Sequence, residues 1–248
     1  MTEPVIRVLD FEATGLHDGA EVCEVGYVDF TPRTHEISTG ATYLCRVDSM
    51  PPDTRAVHHI RLEELVGLPP YDRWCLYEDA ARAGIYAFAA HTCSFEERFI
   101  LGPIPMFCTH KAALRVWPEA PAHGVFALLY WLEDAGLVSY DRARAFPPHR
   151  ALPDAYATAV LLSAMFAAGM TGNDLRQWTA EPRVLPRVPI GNWRGRRWDE
   201  PDLGFLNWII GKRYSDMDPD IIWNAEREVE RRAEEWRRNR ATKEGSPI

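Results

Sequence analysis

Asp10 and Glu12 stand two residues apart in the run Leu9-Asp10-Phe11-Glu12-Ala13-Thr14-Gly15. At the end of a strand that spacing turns both carboxylates to one face. Two carboxylates side by side near a core are costly unless a positive charge sits between them, and a divalent cation with oxygen ligands supplies one. A strand that merely ends in surface acids would read the same way, so the motif alone leaves both readings open. Gly15 is placed to let the chain turn away. A second group is His149-Arg150-Ala151-Leu152-Pro153-Asp154. Pro153 suits the first turn of a helix and nowhere deeper, and Pro147 and Pro148 keep the approach extended. His149 therefore falls on a loop and Asp154 in the first helical turn. An imidazole so placed can swing over whatever Asp154 faces and serve as a base near neutral pH. An exposed loop His beside an Asp that complements the helix dipole is the alternative. The third group is His91-Thr92-Cys93-Ser94-Phe95-Glu96-Glu97. Ser94 and Glu97 have capping-box spacing, which leaves Glu96 to face the strand ends; both acids could instead complement the dipole.

These groups need elements to carry them. Val5–Phe11, Val22–Phe30 and Tyr43–Val47 read as strands joined by short turns, an antiparallel meander. Leu62–Val66 and Leu76–Ala83 read as helices, Ile85–Ala90 as a short strand, and a helix is expected from about Ser94. Met106–Thr109 is a further strand candidate, and Lys111–Trp117, Val125–Ala135 and Leu152–Ala168 have helical spacing. Strands first, then strand and helix alternating, predict a mixed sheet in an α/β domain. Pro182–Pro189, with three prolines, reads as a linker; helices are expected near Leu203–Ile210 and Pro219–Arg238. In the last, Glu228/Arg232 and Glu234/Arg238 at i,i+4 predict a solvated helix. The expected organisation is a catalytic domain over 1–180, a linker over 181–189 and a small mainly helical module over 190–248.

The net charge is −8. Residues 1–180 hold 14 Lys/Arg and 23 Asp/Glu, a balance of −9; residues 181–248 hold 14 and 13, a balance of +1. An acidic chain argues against a nucleic-acid partner, but a carboxylate cluster is what a metal site requires, and a bound ion inverts the local field. Cys23, Cys45, Cys75, Cys93 and Cys108 are odd in number and never form Cys-x-x-Cys, which argues against a disulfide framework and against zinc. No stretch is apolar for long enough to cross a bilayer, and the N-terminus lacks the pattern of a secretory signal. A soluble, cytoplasmic protein is expected.

The three groups, in this order and at these separations, resemble the DEDDh exonucleases: Asp-x-Glu-x-Thr-Gly, then His-x-x-x-Phe-acid, then His-x-x-x-x-Asp ahead of an Ala/Leu-rich helix. The resemblance covers about the first 170 residues and includes Ala56-Val57-His58-His59-Ile60 and Ala151-Leu152-Pro153-Asp154-Ala155-Tyr156-Ala157-Thr158. It implies a ribonuclease-H-like α/β fold and a 3′→5′ exonuclease that uses two Mg²⁺ or Mn²⁺ ions. Asp10, Glu12 and Asp154 would hold one ion, Asp10 and Glu96 would place the second, and His149 would be the general base. Thr14, Gly15, His58, His91 and Phe95 would line the terminal-nucleotide pocket; core or loop packing is the alternative for His58, His91 and Phe95. DNA with a single-stranded 3′ end is the implied substrate, RNA trimming or a non-catalytic nucleic-acid adaptor the alternatives, and protein partners are left open. Ile190-Gly191-Asn192-Trp193-Arg194-Gly195 followed by Pro201–Trp208 resembles the C-terminal module of the exodeoxyribonuclease X group, although Ile190 and Asn192 replace the Phe and Lys of that pattern. The chain departs from the family at Glu96, where Asp is usual, and at Thr92, where Asn is usual. Trp193 could stack on a base or serve as the core of the small module.

Overall fold

The computed structural model describes residues 3–213 and 216–244. The chain divides into two compact units, Met1–Thr179 and Ala180–Ile248.

In the first unit the elements run β1 (Ile6–Ala13), β2 (Val22–Thr31), β3 (Glu36–Ile37), β4 (Ala41–Leu44), α1 (Pro52–His58), α2 (Arg73–Arg82), β5 (Ala87–Ala90), α3 (Cys93–Glu96), β6 (Met106–Cys108), α4 (Thr109–Val116), α5 (Val125–Asp134), α6 (Ala151–Ala167) and α7 (Gly172–Ala180). Among the described residues they form one six-stranded sheet in the order β3-β2-β1-β5-β6, with β4 also on β2. β1 and β2 are antiparallel, whereas β1, β5 and β6 run parallel. The expected mixed sheet with flanking helices is what forms.

The alternation of β1 sets the rest of the geometry. Ile6 and Val8 join Val28, Phe30 and the buried residues of α6 in one core. Leu9, Phe11 and Ala13 face the opposite side, packing with Leu76 and Ala80 of α2. Asp10 and Glu12 therefore continue the row of Ile6 and Val8, toward the α6 side of the sheet. On β2 the partners of that row are Phe30, Val28, Gly26 and Glu24. A Cβ on Gly26 would lie 2.1 Å from the Leu152 amide nitrogen and 2.2 Å from the Ala151 carbonyl carbon. The first turn of α6 thus lies directly on bare β2 backbone, opposite Asp10.

Several elements depart from expectation. Leu62–Leu65 is a single 3-10 turn, and α1 and α7 were not anticipated. α1 is short and polar, and begins with Pro52 at the helix start, so no apolar periodicity reveals it. The capping box at Ser94 does not form: α3 begins at Cys93, its N-cap Thr92 makes no side-chain cap bond, and Glu97 opens a separate 3-10 turn. Seating Glu96 inward, 5% exposed, requires the helix to start one residue earlier.

The second unit contains α8 (Leu203–Ile210) and α9 (Pro219–Glu244), packed through Leu206, Ile209, Ile221, Ile222 and Ala225. The segment expected to be a linker belongs to this unit. Its prolines leave few amides, and two of these are accepted by side chains of α9: Arg183 N by Asp220 Oδ1 at 3.0 Å and Leu185 N by Asn224 Oδ1 at 3.0 Å. Val188 is buried and pairs with Gly195 and Arg196 through its backbone. The Glu228–Arg232 pair of α9 forms at 2.7 Å, but Glu228 is buried rather than solvated and Arg231 grips it as well. No single helix among the described residues is long and apolar enough to cross a membrane.

The seat of α6 gives a direct test. Gly26→Ala is expected to lower the melting temperature markedly, since the added methyl meets backbone that cannot rotate away; overpacking of this kind costs about 1–3 kcal/mol or more. Gly172→Ala, with open space around it, serves as the control in the same thermal melts. Equal stability of the Gly26→Ala protein and the parent would show that the helix has room to spare.

Candidate active site

β1 supplies Asp10 and Glu12, and the first turn of α6 supplies Asp154. One carboxylate oxygen from each lies within 4.8 Å of the other two. Each residue is half-buried. Burial pushes the Asp10 carboxyl well above its usual range, and the charges of Glu12, Asp154, Glu96 and Glu24 add to the effect. Glu12 is raised to about 8 by burial and by Asp154 and Glu24, with Arg150 opposing. Asp154 is raised to about 7, again by burial first; a hydrogen bond from His149 pulls the other way and Glu24 adds to the rise. Three oxygen donors that hold protons against their own nature fit a hard divalent cation, which would displace those protons and relieve the repulsion. No nitrogen or sulfur ligand belongs to the group, so the donor set favours Mg²⁺ or Mn²⁺ over zinc.

His149 is exposed and lies on the approach to α6 in a left-handed conformation, φ 59°. Its backbone amide donates to both oxygens of Asp154, at 3.1 and 3.3 Å. The imidazole is therefore carried on a backbone segment tied to one of the three acids.

Glu96 stands apart from the trio. It is buried, its Oε2 has no hydrogen-bond partner among the described residues, and burial raises it to about 8. Its charge reaches Asp10, but its oxygens do not join the 4.8 Å group.

The expected pocket residues are disposed unequally. Thr14 is buried; its hydroxyl accepts from Glu21 N at 2.9 Å and its amide donates to Glu21 O at 2.9 Å, which closes the loop after β1. Gly15 does not adopt a left-handed backbone, and a Cβ there would meet only the ring of His17, 2.9 Å away. Phe95 is half-buried, edge-on to Phe99 and covered by the Arg98 guanidinium at 4.6 Å. His58 is buried in packing: Nδ1 accepts from Ile60 N at 3.0 Å and Nε2 faces Cys23 Sγ at 4.0 Å. His91 has both ring nitrogens engaged, Nε2 donating to His123 O at 2.6 Å and Nδ1 lying 3.0 Å from Thr109 Oγ1. Burial, helped by the neighbouring His110, holds it neutral with a pKa near about 4.

Two residues that sequence reading passed over organise the site. Glu24, opposite Glu12 on β2, is 2% exposed and forks onto Arg150, with Nε to Oε2 at 2.8 Å and Nη2 to Oε1 at 2.7 Å. Glu24 also accepts from the Ala151 amide at 3.1 Å. The pair fixes the start of α6, and with it His149 and Asp154. The signal available was a lone charge inside the apolar run Val22–Val28, two residues before Gly26.

No family model matches the chain. Exodeoxyribonuclease 10 of Escherichia coli K12 is 29% identical over 227 residues, spanning 88% of this chain and 95% of that protein. A solved exonuclease X in complex with 5′ overhanging duplex DNA superposes with a TM-score of 0.56 at 28% identity, covering 71% of this chain and 99% of its own. The chain is similar in both sequence and fold to exonucleases of this kind. The nuclease domain of 3′hExo, a DEDDh family member bound to rAMP, shares the fold at TM-score 0.56 and 16% identity, over 70% of this chain and 96% of that one. These likenesses support a nuclease on a ribonuclease-H-like fold, and the Asp10, Glu12 and Asp154 carboxylates form a group that could hold a divalent ion.

The raised carboxyls make stability depend on pH. In the folded chain Glu12 and Asp154 keep protons up to about pH 8 and 7, whereas the unfolded chain releases them near their ordinary values of 4.5 and 3.8. Between those limits the folded state binds more protons, so the metal-free protein is expected to lose stability as pH rises from about 5 to about 8. Mg²⁺ or Mn²⁺ should restore it, most strongly at the upper end. Asp10→Asn should raise the melting temperature in chelator at pH 8 and remove the response to metal. Melts that are flat across this range, or an Asp10→Asn protein stabilised by Mn²⁺ as fully as the parent, would count against a metal site here.

Proposed function

We propose that this protein is a metal-dependent 3′→5′ exonuclease that releases nucleoside 5′-monophosphates from DNA, acting best on single-stranded 3′ ends. The observation that carries this reading is the Asp10–Glu12–Asp154 cluster, with an exposed His149 tied through its backbone to one of the three. DNA as the substrate follows the relative at 29% identity, an exodeoxyribonuclease by name.

When bound, divalent ions would supply Lewis-acid charge at the scissile phosphate. Asp10, Glu12 and Asp154 would hold one ion; Glu96 with Asp10 would place the second. His149 receives the proton of the attacking water, its swing limited by the Asp154 hydrogen bond to its own amide. Thr14 and Gly15 offer backbone groups beside the acids, and Phe95 a ring face, for the terminal nucleotide. The enclosed trio admits a frayed end more readily than a paired one, and the −9 balance over residues 1–180 gives little hold on a duplex backbone.

One observation favours a second reading. Glu96 replaces the family's usual Asp and sits buried, with Oε2 lacking a partner among the described residues and its carboxyl raised to about 8, as it would in a chain that binds nucleic acid without cutting it.

Initial rates on a 5′-labelled oligonucleotide in Mg²⁺ and in Mn²⁺ separate the two. Asp10→Ala, Glu12→Ala and Asp154→Ala are expected to abolish cleavage with the fold intact, and His149→Ala to slow it by roughly 10²–10⁴-fold. Glu96→Asp should keep or improve the rate and Glu96→Ala should lose it by orders of magnitude, while Glu97→Ala stays near the parent. Normal cleavage by Asp10→Ala would overturn the exonuclease reading, and a parent that never cuts while binding DNA would establish the adaptor.

A further inference from the structure

The C-terminal unit carries an aromatic strip of which only Phe205 packs against its own core; Trp193 and Trp208 flank that ring outside it. Leu206 and Ile209 turn the inner face of α8 toward Ile221, Ile222 and Ala225 of α9. The tryptophan that closes this core is Trp198, which packs against it and donates Nε1 to Leu185 O at 2.8 Å. Trp193 stands outside the cluster, half-buried, with its ring 6.4 Å from that of Phe205. Phe205 in turn stacks on Trp208 at 5.8 Å with the planes 23° apart, and Trp208 is 50% exposed. The loop is shaped to this arrangement: Gly191 has φ +63°, and a Cβ there would come within 3.1 Å of the Phe205 ring.

Positive charge accompanies the rings. The Lys212 ammonium lies 5.5 Å over Trp208. Arg194 donates Nε to a neutral acceptor, Pro189 O at 2.8 Å, which keeps its charge. The acids of the same stretch have other roles: Asp202 caps α8 by accepting from Phe205 N at 2.8 Å, Asp199 pairs with Arg197 at 2.8 Å, and Glu200 pairs with Arg196 at 3.6 Å.

We propose that Trp193, Phe205 and Trp208, with Arg194 and Lys212, form a second nucleic-acid contact in the C-terminal unit, a stacking strip for single-stranded DNA. Flat rings in series offer faces to successive bases of any sequence, and cations on the same strip meet the phosphates between them. Charge favours a polyanionic occupant here over the first unit: residues 1–180 carry −9 and residues 181–248 carry +1, and Arg194 and Lys212 put positive charge on the strip itself. The choice of DNA as ligand follows from the exonuclease reading; the strip itself does not.

The test uses the full chain in chelator, so that binding is read without turnover. The probe is a 5′-fluorescein oligodeoxythymidylate of about 20 nucleotides, long enough to reach beyond one stacking site. Trp208→Ala is expected to weaken binding roughly tenfold, the scale of one lost base stack. Lys212→Gln should make the log–log salt dependence shallower by about 0.7, the loss of one phosphate contact on a single strand. Trp236→Ala is the control, an exposed Trp of α9 with Arg240 over its ring but outside the strip; it should bind like the parent. The proposal is overturned if Trp208→Ala and Lys212→Gln bind as the parent does, or if Trp236→Ala weakens binding equally. It is also overturned if light scattering finds a dimer that Trp208→Ala dissociates, for the strip would then be covered by a second copy. A chain that binds through the strip but never cuts DNA sinks the exonuclease reading alone; one that cuts but binds independently of Trp208 and Lys212 sinks only this inference.

Discussion

The first turn of α6 lies on the bare backbone of Gly26, and the rest of the site depends on that contact. The leucine amide and alanine carbonyl of the turn occupy the space any side chain would fill. Once the helix is that close, Glu24 reaches both Arg150 and the Ala151 amide, and these bonds fix where the helix begins. Asp154 then arrives over the row that Asp10 and Glu12 form on β1. The trio is therefore a consequence of a close helix–strand packing, made possible by a missing Cβ on the neighbouring strand.

That arrangement concentrates negative charge. Asp10, Glu12 and Asp154 are raised by burial and by each other, and Glu24 and Glu96 add to the field. Arg150 is the cation that opposes this at Glu12, and its own charge is committed to Glu24. Such a cluster is destabilising as an unpaired set of anions, and it stands because protons or a cation occupy it. The same repulsion that lowers metal-free stability would favour a divalent ion placed among the three acids.

The two units divide the physical work. The first holds its acids on a rigid sheet whose opposite faces are both covered. The second is short in core and rich in paired charges along α9, and it keeps aromatic rings at its surface. Its prolines, which in isolation suggest a loose connection, are accommodated because Asp220 and Asn224 accept the few amides that remain.

Much of this was present in the order of residues. Period-two alternation placed Asp10 and Glu12 on one face, Pro153 placed Asp154 in a first turn and His149 before it, and the succession of strands and helices predicted the mixed sheet. Those features are local: they depend on the pleat, the proline ring and the helix period, which act over a few residues. What the sequence left open is non-local. That Gly26 is a contact point and Glu24 an anchor depends on β2 lying beside β1 in one register, which no window of sequence contains. Whether His58 and His91 lined a nucleotide pocket or served packing was open because imidazole suits both, and the neighbours that engage those rings include Cys23 and His123, 35 and 32 residues away. The capping box failed for the same reason. Ser94 and Glu97 had the right spacing, but the short helix starts at Cys93 with Glu96 buried, and burial is decided by the assembled fold.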